Sequence, residues 1–193
     1  MIATIEKIKT NDNHLILTGI SWFQFAAIEA TFADIEGVRF AYLDGILEIM
    51  TLSQEHEDTK CTIGLLLEAY LRESGIRFYK RGSATLGNKQ LNGRKEPDES
   101  YNLITKKAVP DLVIEVILTS GSIDLLQLYQ RIGIPEIWLW EDGVLDVYHL
   151  NKSYQKVERS ELFPDLDLNI ISKYIIYHDQ YDAVTEFIRE LKK

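Results

Sequence analysis

The stretch LVIEVIL, Leu112–Leu118, consists of Leu, Val and Ile residues with one carboxylate, Glu115, at its centre. An apolar run without polar alternation is typical of a central strand that is covered on both faces of its sheet. A buried carboxylate without a partner shifts its pKa or destabilises the fold, whereas a bound metal ion offsets the cost of burial. The stretch therefore predicts both the middle of a sheet and a functional group within it.

A second acid, Asp98, follows Pro97 and lies seventeen positions before Glu115, in the preceding predicted strand. Opposed residues on adjacent antiparallel strands lie about 5 Å apart, which is compatible with a shared ion. A divalent ion takes oxygen ligands, polarises a phosphate and lowers the pKa of a bound water. The pair therefore predicts metal-assisted hydrolysis, above all of phosphodiesters, with Mg²⁺ as cofactor or Mn²⁺ in its place.

Asp111 is a weaker candidate for the same site. It shares a strand and a face with Glu115, because the two residues are four apart. Their Cα atoms would stand about 14 Å apart at roughly 3.4 Å per residue, which is a poor separation for a common ion. We therefore expect a supporting role for Asp111, and a hydrogen bond to backbone at the start of the strand is the alternative.

The basic residues are distributed unevenly. The formal net charge of −9 does not attract nucleic acid in bulk, so contacts to phosphate would require a local basic patch. One segment contains eight lysines and arginines against three acids; the basic residues are Arg77, Lys80, Arg81, Lys89, Arg94, Lys95, Lys106 and Lys107. This segment predicts contact with DNA, and a solvated lysine-rich edge is the alternative.

Length and composition bound the architecture. With 193 residues, 46% hydrophobic and 26% charged, we expect one globular domain over residues 1–193. A single cysteine, Cys61, excludes an intramolecular disulfide and fits a reducing cytoplasm. The segment Met1–Lys7 lacks the pattern of a signal peptide, and no apolar run reaches the roughly 18 residues of a membrane span. We therefore expect a cytoplasmic protein without a membrane partner.

Capping and turn signals divide the chain into alternating elements. Ser21 and Ser53 are predicted helix N-caps, and Asp44-Gly45 predicts a hairpin between two strands. The predicted helices cover residues 21–33, 53–74 and 123–132, and one or two helices are predicted after residue 159, the last at 181–191. The predicted strands cover residues 38–43, 46–50, 76–81, 83–87, 98–104, 111–118, 136–140, 144–150 and 154–159. This order predicts an α/β or α+β-like fold with a mixed sheet flanked by helices.

Several stretches taken together resemble a known family. They are YLDGILEIMTLSQEHE (42–57), EPDESY (96–101), PDLVIEVILTSGSID (110–124), LYQRIGIPEIWLWEDGVLDVYHL (128–150) and FPDLDL (163–168). The chain resembles the PD-(D/E)XK nuclease superfamily, and within it a family of small bacterial restriction-endonuclease-like proteins of the Uma type. The short patterns are weak alone, whereas the ordered set is specific and covers nearly the full length.

The resemblance implies a restriction-endonuclease-like core and Mg²⁺-dependent hydrolysis of DNA. It makes Asp98 and Glu115 the metal ligands, with the backbone carbonyl of Val116 as a third. It also implies a lysine in the helix after the second strand, where this chain has Leu125. Two alternatives follow: a lysine from nearby replaces the missing charge, or the fold is kept for binding nucleic acid or protein. The candidate replacements are Lys89, Lys95, Lys106 and Lys107.

The family pattern also contains residues similar to His56 and Glu57 at the start of the long helix. We predict that both are catalytic, with His56 contacting a phosphate or positioning water; a capping or solvent-facing histidine is the alternative. Glu48 and Glu68 are weaker candidates for a further acid. A homodimer assembled through an exposed strand and an apolar helix surface is a further expectation. If the helix lysine matters, Leu125→Lys should raise metal-dependent cleavage.

Overall fold

In a computed structural model, the structure describes residues 12–118 and 121–192, so that Met1–Lys7 lies outside the described residues. The described residues form eleven strands and five helices. In chain order these are β1 Asn13–Thr18, α1 Trp22–Thr31, β2 Val38–Leu43, β3 Ile46–Thr51, α2 Gln54–Glu73, β4 Phe78–Lys80, β5 Leu86–Asn88, β6 Gly93–Lys95, β7 Glu99–Leu103, β8 Leu112–Ile117, α3 Leu125–Ile132, β9 Glu136–Glu141, β10 Val144–Asn151, β11 Ser153–Val157, α4 Leu168–Ile175 and α5 Gln180–Leu191.

The strands form two sheets. The first has the order β1-β3-β2-β6-β5, and all of its neighbouring strands are antiparallel. The second has the order β11-β10-β9-β8-β7-β4, and β8 pairs with β9 in parallel while its other pairs are antiparallel. A mixed α/β fold with helices flanking the sheets confirms the predicted class. The division of the strands between two sheets was not indicated by the sequence.

The position of β8 explains its apolar sequence. It lies inside the second sheet, between β7 and β9. On one face, Ile114 and Val116 belong to the large core cluster that includes α2, α4 and α5. On the other face, Val113 packs with Tyr129 of α3 and with Ile134. Both faces are therefore covered, as predicted, because each helix layer removes one set of alternating side chains from water.

The long helix α2 begins as its sequence predicts. The side chain of Ser53, its N-cap, accepts a hydrogen bond from the backbone N–H of His56. This cap fixes the first turn of α2, and its buried face then packs on the second sheet through residues such as Ile63, Leu66 and Leu67. Among the described helices, none is long and apolar enough to cross a bilayer.

The short strand β6 was not predicted, and it brings the first sheet close to α3. A Cβ built on Gly93 would lie 2.5 Å from the Cδ1 of Leu128 on α3 and 3.3 Å from that of Leu43. On the neighbouring strand β5, a Cβ on Gly87 would lie 2.2 Å from the carbonyl oxygen of Gly93, and Gly87 has φ +87. Glycine at both positions therefore permits the close approach that positions the next two residues of β6.

Candidate active site

Residues of both sheets and of two helices line a cavity of about 240 Å³. Of the described residues in its wall, six have ionisable side chains and are each less than 10% exposed, which is an unusual density of buried charge. They are Asp12, Glu48, His56, Lys95, Asp98 and Glu115. Such groups are retained only where they pair with one another or bind a ligand.

The predicted acid pair is brought together on one face of the second sheet. Glu99 of β7 is paired with Ile114 of β8, so Asp98 stands beside Glu115 just before β7 begins. Both side chains line the cavity and are nearly buried, with Asp98 8% and Glu115 2% exposed. Asp98 Oδ2 also accepts a hydrogen bond of 2.8 Å from the backbone N–H of Val116, which fixes the carboxylate against β8.

The first turn of α2 places His56 between two carboxylates. Its Nδ1 lies 2.8 Å from Asp12 Oδ2, and its Nε2 lies 3.0 Å from Asp98 Oδ1. Asp12 is itself fixed, because its Oδ1 accepts a 2.7 Å hydrogen bond from the backbone N–H of Ser53. The N-cap of α2 and the histidine that follows it therefore share one acid, and this acid orients the imidazole toward Asp98.

The pKa values of this pair follow from its surroundings. Burial would raise the pKa of Asp98, but His56, Lys95 and the Val116 N–H together hold it below its ordinary value. Burial would likewise lower the pKa of His56, but Asp98 and Asp12 raise it above its ordinary value. Both shifts favour an ion pair, with a charged imidazolium against a charged carboxylate.

Glu115 is held from two sides. The Nζ of Lys95, the last residue of β6, lies 3.2 Å from Glu115 Oε2, and the hydroxyl of Tyr129 on α3 donates a hydrogen bond to Oε1. Burial raises the pKa of Glu115 to about 7, against the lowering effects of Lys95 and Tyr129 and with a further contribution from Asp98. Burial would lower the pKa of Lys95, but its carboxylate neighbours, Glu115 first, raise it.

Glu48 of β3 supports the backbone that leads into α3. Its Oε1 accepts hydrogen bonds from the backbone N–H groups of Ser122 and Ile123, the latter at 2.9 Å. A Cβ on Gly121 would lie 2.6 Å from the same oxygen, so a larger residue at this position would displace the carboxylate. This candidate acid therefore lies in the cavity, with its carboxylate engaged by backbone at the entrance to α3.

Comparison with known proteins gives one family. The family model described as "Uma2: Putative restriction endonuclease" matches residues 22–174, well over half of the chain. The chain belongs to the Uma2 family. A crystal structure titled as a putative nuclease belonging to DUF820 from Anabaena variabilis ATCC 29413 is similar at 13% identity and a TM-score of 0.41, covering 77% of this chain and 90% of that one. No curated protein matches.

The donor set of this Uma2 protein fits a hydrated divalent ion in number and type. Magnesium is held by one or two carboxylates and keeps several waters. Asp98 and Glu115 offer two, and Val116 lines the same cavity. Among the described residues, no group of three or more His, Cys, Asp or Glu side chains is arranged to hold a metal. A metal site here would therefore consist of two carboxylates completed by backbone and water.

Three other candidate acids lie elsewhere. Glu57, predicted to be catalytic, does not line the cavity, because successive helix residues point about 100° apart and Glu57 faces away from the side chain of His56. Its Oε2 lies 2.6 Å from the Nζ of Lys60. Glu68 lies 3.2 Å from the Nζ of Lys80. Asp111 accepts a 2.8 Å hydrogen bond from the backbone N–H of Leu103, which is the alternative role considered for it.

The structure distinguishes among the four candidate lysines. Lys89 lies over the ring of Phe23, and Lys106 lies 5.5 Å from the ring centre of Tyr79. Lys107 pairs with Asp111 at 2.6 Å. Lys95 is the one of the four that lines the cavity, where Leu125, the first residue of α3, also contributes to the wall.

Sequence reasoning missed two residues of the site. Asp12 precedes β1 in a polar stretch that carries no motif, so nothing in the sequence linked it to His56. Tyr129 lies four residues after Leu125 on α3, which places both on one helical face, and this spacing was the available signal.

Proposed function

We propose that this Uma2 protein is a divalent-metal-dependent endonuclease that hydrolyses phosphodiester bonds of DNA, with Mg²⁺ or Mn²⁺ as its cofactor. The observation that carries the proposal is the convergence of Asp98 and Glu115, from neighbouring strands, on one cavity. Family membership supports nuclease chemistry, and the buried, paired carboxylates supply ligands of the type that these ions require.

In the proposed reaction, a water oxygen forms a bond to phosphorus and the bond to one ester oxygen breaks, leaving a phosphate monoester and an alcohol. The water gives up one proton to solvent, and the departing ester oxygen takes up one. Asp98, Glu115 and the Val116 carbonyl would hold the ion, which polarises the phosphate and activates water when bound. His56 and Asp12 keep Asp98 oriented, and Glu48 holds the backbone at the start of α3.

Paired measurements of metal binding and cleavage test this function. Wild type should bind Mg²⁺ in calorimetry and cleave plasmid DNA when Mg²⁺ is present. Asp98→Asn and Glu115→Gln should each abolish detectable cleavage and weaken Mg²⁺ binding at least about tenfold, since each removes one of two carboxylate ligands. Asp111→Asn is the matched control, because Asp111 lies on the same segment yet hydrogen-bonds outside the cavity. A folded wild type that binds no divalent ion would overturn the proposal.

A second candidate function is a catalytically inactive nuclease fold that binds nucleic acid or protein. The observation in its favour is Leu125, an apolar residue in the cavity wall at the position where the family resemblance implies a lysine. This function predicts that wild type binds DNA with the same affinity as Asp98→Asn and cleaves none of it.

A further inference from the structure

A buried lysine faces the carboxylate that the proposed function makes a metal ligand. Lys95 is 7% exposed, and its Nζ lies 3.2 Å from Glu115 Oε2. It reaches that carboxylate from the other sheet, because β6 pairs with β2 and β5, whereas Glu115 belongs to β8. Residues of both sheets bury this lysine. Removing its ammonium group from water costs free energy, and lysines are almost never fully buried without a partner.

Hydrolysis of a phosphodiester needs a cation beside the phosphate, because negative charge accumulates on its oxygens in the transition state. Among the described residues, four basic side chains line the cavity: those of His14, Arg39, His56 and Lys95. Arg39 is bound to Glu96 at 2.6 Å and is about one-third exposed, and His56 is held between Asp12 and Asp98. Within the part of the chain that the structure describes, Lys95 forms an ion pair with Glu115 alone, so its other donors can face a phosphate.

We propose that Lys95 is a catalytic residue, which donates hydrogen bonds from β6 to the phosphate undergoing hydrolysis. The inference rests on the proposed function and deepens it. Lys95 keeps its protons throughout: it stabilises the charge that develops on the phosphate oxygens and transfers no proton. The same cavity wall contains Leu125 at the first position of α3. The positive charge is therefore supplied by Lys95 on the first sheet and not by a lysine on the helix.

A purely structural role makes different predictions. A lysine that only neutralises Glu115 would be needed for stability, and a charge placed elsewhere in the wall would not restore catalysis. A catalytic lysine can be exchanged for a second lysine that reaches the same phosphate. Leu125→Lys supplies that second lysine, because residues 95 and 125 line one cavity.

The test compares Lys95→Met, Leu125→Lys and the double variant with wild type. Lys95→Met should lower kcat for Mg²⁺-dependent DNA cleavage by about 100-fold with KM for DNA little changed, as expected for loss of one transition-state donor. The double variant should recover at least about tenfold of this loss. Leu125→Lys alone should raise kcat by a smaller factor than the double variant recovers, because Lys95 already supplies a charge in the same cavity. Lys60→Met is the matched control: Lys60 is equally buried, at 8% exposed, but pairs with Glu57 outside the cavity.

Calorimetry provides a readout that does not depend on activity. Removing the ammonium should leave the Mg²⁺ affinity of Lys95→Met equal to or tighter than that of wild type, because a competing cation near Glu115 is gone. If Lys95→Met does not fold, Lys95→Gln, which retains a hydrogen-bond donor, takes its place in every arm.

The outcomes separate this inference from the proposed function. A wild type that neither binds Mg²⁺ nor cleaves overturns both. A wild type that cleaves while Lys95→Met cleaves equally well overturns the inference alone. So does a wild type that binds Mg²⁺ but becomes active only as Leu125→Lys, and so does loss of Mg²⁺ binding in Lys95→Met without rescue by Leu125→Lys.

Discussion

Glu136, at the start of β9, shows how a buried charge can be entirely structural. It is 0% exposed and its carboxylate accepts hydrogen bonds from Trp138 Nε1 at 2.8 Å, from Ser160 Oγ at 2.6 Å, and from the backbone N–H groups of Glu161 and Leu162 at 2.9 and 3.3 Å. Four donors satisfy it, and it lies outside the cavity. Glu115 differs, because it lines the cavity and faces a lysine. Buried acids in this protein are therefore of two kinds, structural ones such as Glu136 and cavity-lining ones such as Glu115.

We expect Glu136→Ala to lower the free energy of unfolding by about 3 kcal/mol, because it leaves several buried donors without an acceptor. Urea denaturation followed by tryptophan fluorescence measures the change. Glu136→Gln keeps the shape and one acceptor oxygen, so its loss should be smaller. Equal losses in the two variants would show that packing volume, and not hydrogen bonding, determines the effect.

Asp12 gives a second prediction at the residue scale. Asp12→Asn retains an acceptor for the Ser53 N–H but removes the charge that faces His56 Nδ1. We expect a loss of about 1–3 kcal/mol in unfolding free energy, as for a buried hydrogen bond to a charged group, and weaker Mg²⁺ binding through a less fixed Asp98. Thermal melting and calorimetry measure the two effects. Asp58→Asn is the control, since Asp58 bonds to the exposed Gln54; an identical response in both variants would contradict the role of Asp12.

At the residue scale, a site residue can be predicted from the sequence when it breaks a local sequence pattern. Glu115 is unusual because it interrupts an apolar strand, and Asp98 was located by the antiparallel return of the chain. Lys95 was one of four equivalent lysines, because its burial depends on how two sheets meet. Asp12 offered no signal, since its partner His56 is 44 positions away.

At the scale of elements, an ion pair joins the hairpin of β2 and β3 to α3. Asp44, in the turn with φ 48, accepts hydrogen bonds from Arg131 at 2.8 Å and from Asn92 at 2.8 Å. The hydrogen bond from Arg131 holds the pKa of Asp44 below its ordinary value despite the opposing effect of desolvation. The hairpin and the helix that contains Leu125 are thereby connected at the surface.

The lowered pKa of Asp44 fixes the sign of a pH effect. The ion pair stabilises the protein above the unfolded-state pKa of the carboxyl, and this contribution is lost as the pH falls through the lower folded-state value. We expect Asp44→Asn, which tolerates positive φ, to be less stable than wild type at pH 7 by less than about 1 kcal/mol. Thermal melting should show this difference shrinking toward zero under strongly acidic conditions; a difference that widens on acidification would contradict the ion pair.

Elements with strong periodic or capping signals were predicted, and β6 was not. The helix α2 has an N-cap serine and a broad apolar face, and β8 is an unbroken apolar run, so local sequence was sufficient for both. The strand β6 has only three residues, one of them Gly93, and it exists because β2 and β5 pair with it on either side. Pairing of this kind is set by tertiary structure, which outweighs strand propensity.

At the scale of the whole molecule, charge opposes the proposed substrate. The net charge is −9, and among the described residues seven acids line the cavity: Asp12, Glu48, Glu96, Asp98, Glu115, Asp124 and Glu141. A phosphate entering the cavity would therefore meet repulsion unless a divalent ion reduces it. The family and the mixed α/β class could be predicted from sequence, but this local field depends on which side chains the two sheets bring together.

We therefore expect DNA binding to depend on divalent ions. With Ca²⁺, an oxygen-binding ion, the affinity of wild type for a fluorescent DNA duplex should exceed that in EDTA by at least about tenfold, or 1.4 kcal/mol, measured by fluorescence anisotropy. The double variant Asp98→Asn with Glu115→Gln should bind DNA in EDTA more tightly than wild type, because two repelling charges are gone, and should lose the response to Ca²⁺. Asp146→Asn with Glu161→Gln changes the formal charge equally but lies outside the cavity, so it should retain the Ca²⁺ response. If both double variants behave alike, net charge and not the field of the cavity controls binding.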